Sequence, residues 1–142
     1  MSLDSYDFDR AEPTRAAMRA AAVAGQPADI AAALQRPDVP DELLARPFQV
    51  VTDLSALRGA GAGRVPVPEE LADPVLAGDI DVDDPDRCCL FYRGVLLHGS
   101  STLQADVLNR ARLVQLWPGL AGDLPAAVVQ VWQQRFAELA DR

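Results

Sequence analysis

The sequence predicts a single α+β domain over residues 1–142, mostly helical, with one small antiparallel sheet. Three observations lead there. Prolines recur where helices begin: Pro13, Pro27 and Pro40 each open an alanine- or leucine-rich run. Residues 79–98 alternate and then turn apolar around Arg93-Gly94, which reads as a β-hairpin or meander. The last third carries apolar residues at helical spacing.

Along the chain, residues 1–12 are polar and acidic, and the expectation is a loosely ordered lead-in. "PTRAAMRAAAVAG" is a helix that Gly25 ends. "PADIAAALQR" and "PDELLAR" are a second and third helix, stopped before Pro37 and Pro47. A helix–turn–helix for DNA is discounted, because charge in this region is nearly balanced. Residues 48–58 read equally as strand or helix, with Asp53 able to cap a turn ending at Gly59. "GAGAGRVPVP", residues 59–68, reads as an intradomain loop. "PEELADPVLAG" reads as a short helix interrupted near Pro74.

In the hairpin, Asp79–Asp83 alternates acid with Ile80 and Val82, and Asp84-Pro85-Asp86 is turn chemistry. Arg87–Tyr92 and Val95–His98 would be its paired arms. Such a ribbon needs helices to cover it. "SSTLQADVLNRARLVQLW" supplies one, with Ser101 and Gln104 matching a capping box and Trp117-Pro-Gly119 as its end. Asp123 then caps a last helix that places Val128, Trp132, Phe136 and Ala140 on one face. These two helices are expected to pair antiparallel around Trp117 and Trp132.

Net charge is −8, and all 13 basic residues are arginine. Residues 65–86 hold Glu69, Glu70, Asp73, Asp79, Asp81, Asp83, Asp84 and Asp86 with no arginine, so this one segment accounts for the whole imbalance. A basic footprint for nucleic acid is missing. No apolar run approaches the ~20 residues of a membrane helix, and the acidic start does not match a signal peptide. Two adjacent cysteines, unsuited to pairing with each other, fit a reducing compartment. The expected location is cytoplasmic.

Four stretches could carry chemistry. "GVLLHGSST", residues 94–102, has the outline of the strand and loop that shape an oxyanion hole in α/β-hydrolases. No Gly-x-Ser-x-Gly elbow, later acid or second histidine follows, so a strand end and helix cap explain it better. What survives is an anion site on Ser100, Ser101 and Thr102. In the expected hairpin Cys89 would face His98, the lone histidine, as a nucleophile and base without an orienting third group. Asp79, Asp81 and Asp83 could ligate Ca²⁺ or Mg²⁺, yet the EF-hand pattern fails. Its glycine position is Asp84 and its final glutamate is Leu90. "GAGAG" runs into Val-Pro-Val-Pro rather than a helix, so it is a connector and not a phosphate loop.

The expected function is therefore a non-catalytic acidic cytoplasmic protein that binds a protein partner or a second copy of itself. Glu69, Glu70, Asp73, Asp84 and Asp86 would be its contact residues, and no cofactor is expected. The alternative is a small enzyme or ligand-binding protein built on Cys89, His98 and the helix start at residues 100–102.

Overall fold

The computed structural model describes residues 14–71 and 78–140, with the side chain of Glu70 left out. The polar lead-in expected over residues 1–12 and the break expected near Pro74 lie outside the described residues. The three proline-led helices form as expected: α1 Arg15–Val23, α2 Ala28–Leu34 and α3 Asp41–Leu44. Thr14 caps α1 by accepting from the Ala17 N–H, and Gly25 leaves it at φ +74°. Pro27 and Pro40 stand just before α2 and α3 in extended conformation.

The segment after α3 is neither strand nor helix until a 3-10 turn at Leu54–Ala56, which Asp53 caps through the Ser55 N–H. Phe48, Val50 and Val51 are buried, so their backbone groups need partners. Side chains from elsewhere provide them. Gln26 Nε2 donates to the Phe48 carbonyl at 3.1 Å. Gln104 Nε2 donates to the Gln49 carbonyl at 2.8 Å, and Gln104 Oε1 accepts from the Val51 N–H at 3.0 Å. Arg135 Nη1 reaches the Val50 and Val51 carbonyls at 3.0 and 3.2 Å. Three long polar side chains thus replace a neighbouring strand.

Arg135 also grips Asp29 on α2 with two bonds, at 2.9 and 2.8 Å. Hydrogen bonding from Arg135 holds the Asp29 carboxyl below its ordinary value of 3.8, against an opposing push from burial. A depressed carboxylate stabilises the fold above its unfolded pKa of ~3.9, and that stability is lost as pH falls through the folded value. Melting curves from pH 7 down to 2 should therefore show a shallower acid slope for Asp29→Asn than for the wild type below about pH 4. Parallel slopes would remove this ion pair from the account of acid stability.

The sheet has two antiparallel strands, β1 Arg64–Pro66 and β2 Asp79–Asp81, with Val65 opposite Ile80. The alternation read over 79–83 is present: Ile80 and Val82 are buried, while Asp79 and Asp83 are exposed. The partner strand is not the one expected. It comes from "RVP", inside the stretch read as a loop, and the hairpin arms at Arg87–Tyr92 and Val95–His98 do not exist.

Those arms are one helix, α4 Pro85–His98. Asp84 is its cap, accepting from the Asp86 and Arg87 N–H groups, and Pro85 fills its first position. Cys88, Phe91, Tyr92, Val95 and Leu96 recur at helical spacing and are all fully buried. Gly94 sits inside the helix, at a cost of roughly 1 kcal/mol relative to alanine, which burial of five apolar side chains outweighs.

The C-terminal third also divides differently. The expected single helix over 101–117 is two, α5 Ser101–Val107 and α6 Arg110–Asp123. Asn109 breaks it by capping α6 through the Arg112 N–H at 3.0 Å. Its own N–H donates to the buried Tyr92 hydroxyl at 2.9 Å. α6 runs on through Pro118 and Gly119, both exposed, and ends at Asp123, which therefore does not cap the next helix. That helix, α7 Ala126–Arg135, starts after Pro125, and a short α8 Ala137–Ala140 follows. Trp117 and Trp132 are fully buried with ring centroids 6.5 Å apart, and Phe136 lies 5.3 Å from Trp132. Ala140, expected on the same face, is exposed. α6 and α7 meet through these rings more than along their lengths. Among the described helices, backbone contact is most extensive between α2 and α7 and between α4 and α6.

Candidate functional site

On α4 the nine-residue interval from Cys89 to His98 is two and a half turns. That places the two residues on opposite faces and about 13 Å apart along the axis. The pair that a hairpin would have assembled is not brought together. Cys88 is fully buried, and burial pushes its thiol up to about 11. Cys89 is half-buried, and its thiol is also raised, by burial first and then by the negative charges of Asp86 and Asp123. Both shifts run opposite to those of an activated cysteine. Alkylation by iodoacetamide, followed against pH by mass spectrometry, should stay slow at pH 7 and reach half its maximal rate above ~8.5, the free-thiol value. A plateau below pH 7.5 at Cys89 would overturn this reading and show that a nearby cation outweighs burial and the two carboxylates.

His98 is half-buried at the end of α4, and its Nδ1 has no hydrogen-bond partner among the described residues. The same holds for the indole Nε1 atoms of Trp117 and Trp132.

At the start of α5 the cap is Ser100, whose Oγ accepts from the Leu103 N–H at 3.1 Å, one residue before the expected Ser101. The Ser101 N–H and Oγ both donate to Gln49 Oε1, at 2.8 and 3.2 Å. Thr102 is exposed. Two of the backbone donors an anion would need are therefore already bonded within the chain. Gln104 does not complete a capping box either, because it is fully buried and turned to the segment over 49–51.

The acid run is largely committed to its own turn. Asp81 Oδ1 accepts from the Asp83 N–H at 3.0 Å. Asp83 accepts from the Gly63 N–H at 3.1 Å and from Arg112 Nη2 at 3.0 Å. Asp79 stands exposed on β2. Among the described residues, no group of three or more His, Cys, Asp or Glu side chains is placed to hold a metal ion. Alternation puts Asp79, Asp81 and Asp83 on the side opposite Ile80 and Val82, but Asp81 and Asp83 are taken up by the Asp83 and Gly63 N–H groups and by Arg112.

Of the expected contact residues, Glu69 is exposed in a 3-10 turn, Glu69–Leu71. Asp84 and Asp86 are exposed at the start of α4. Asp73 and the side chain of Glu70 lie outside the described residues. That turn and β2 each pack against α4, the helix that Asp84 and Asp86 begin.

Two surface depressions lie away from these residues. A groove of about 720 Å³ has Leu57, Ala111 and Val114 along it, with Arg110 and Glu138 forming an ion pair beside them. A second, of about 590 Å³, has Leu124 and Val129 with Arg36, Gln130, Gln133 and Gln134. Each joins residues distant in sequence, and neither has a motif that sequence reading could have caught. Among the described residues no helix is long and apolar enough to cross a membrane. The chain matches no family model, no curated protein and no solved structure.

Proposed function

We propose that this protein is a non-catalytic, cytoplasmic interaction protein that docks a basic protein partner on its acidic corner. What supports the reading is that Glu69, Asp79, Asp84 and Asp86 are all exposed, and that the turn carrying Glu69 and the strand carrying Asp79 each pack against α4, which Asp84 and Asp86 begin; the acidic corner meant is this junction. A concentrated field of one sign speeds encounter with an oppositely charged surface and suppresses like-charged partners. Asp84 doubles as the α4 cap, so the carboxylates open to replacement are Glu69, Asp79 and Asp86, the last at a modest cost to the helix turn it lies in. Against the enzyme alternative stand the raised thiols of both cysteines and the opposite faces of α4 that Cys89 and His98 occupy.

The test is cross-linking mass spectrometry in the native host, comparing the wild type with the variant Glu69→Gln, Asp79→Asn, Asp86→Asn at matched melting temperature. The expected result is loss of specific cross-links from basic residues of a partner to this corner, with a partner affinity in vitro that falls steeply with salt. An unchanged partner set would overturn the reading. Cross-links between two copies of the chain, mapping away from the corner, would instead establish a homodimer without this docking role.

A further inference from the structure

No further inference is drawn: the strongest candidate, the groove between α6 and α8 along Leu57, Ala111 and Val114, carries nothing because nothing in the structure shows what covers it.

Discussion

Replacing Gln104 with leucine should unfold the protein more readily than any exchange on its surface. Gln104 is fully buried, and its amide holds three backbone groups: the Val51 N–H, the Gln49 carbonyl and, at 3.3 Å, the Gly99 carbonyl. Leucine fills a similar volume, so packing is nearly conserved while the polar partners are orphaned. Each unsatisfied buried group costs about 1–3 kcal/mol. The expected loss is about 3–5 kcal/mol, or roughly 10–17 °C in melting temperature for a chain of this size. The effect should be local in origin, because among the described residues the segment over 48–51 has no strand beside it. Hydrogen exchange at the Val51 amide should therefore accelerate more than at amides in α6 or α7. A loss under about 1 kcal/mol, with Val51 protection unchanged, would mean that Arg135 and Gln26 hold the segment without Gln104.

This segment also marks where sequence reading runs out. The proline-led starts of α1, α2 and α3 are local signals: a fixed φ and a missing donor act within one turn of the chain. The buried extended stretch is stabilised by residues 26, 104 and 135, and no window of sequence contains that arrangement. α4 is a different case, because its signals were present. Asp84-Pro85 is a cap followed by a first-turn proline, and 88, 91, 92, 95 and 96 have helical spacing. Arg93-Gly94 and the strand-favouring "CCLFY" suggested a hairpin, but a glycine costs a helix little where both flanks bury apolar side chains. That choice determined the site reading as well, since a Cys89–His98 pair requires the hairpin. The break at Asn109 was visible only as a cap-type residue inside an apparently continuous helix. The Tyr92 hydroxyl that takes its N–H comes from α4, a contact the hairpin reading could not anticipate.

"GAGAG" reads in the sequence as a connector, and its first glycine leads to the second large effect. Gly59 is clamped: its N–H donates to the Leu108 carbonyl at 2.9 Å, and its carbonyl accepts from Asn109 Nδ2 at 3.0 Å. The preceding Arg58 N–H donates to the Ala105 carbonyl at 2.8 Å. A methyl group at residue 59 would run into the carbonyl of Val107 and the backbone of Leu108. These are main-chain atoms at the α5–α6 junction. They cannot rotate aside as a side chain would, and Leu108 is fully buried beneath them. Gly59→Ala should therefore cost about 2–4 kcal/mol, at or above the upper end for overpacked sites. Gly119→Ala is the matched comparison. It lies within α6 with open space around it, so the same methyl should stabilise by about 0.4–1 kcal/mol through helix propensity and a less flexible unfolded chain. Denaturant titration of both variants tests the contrast, with the m-value reporting whether the native state has loosened. If Gly59→Ala melts within about 1 °C of the wild type, the loop does not lie against the α5–α6 junction as described. Its reading as a connector would then return.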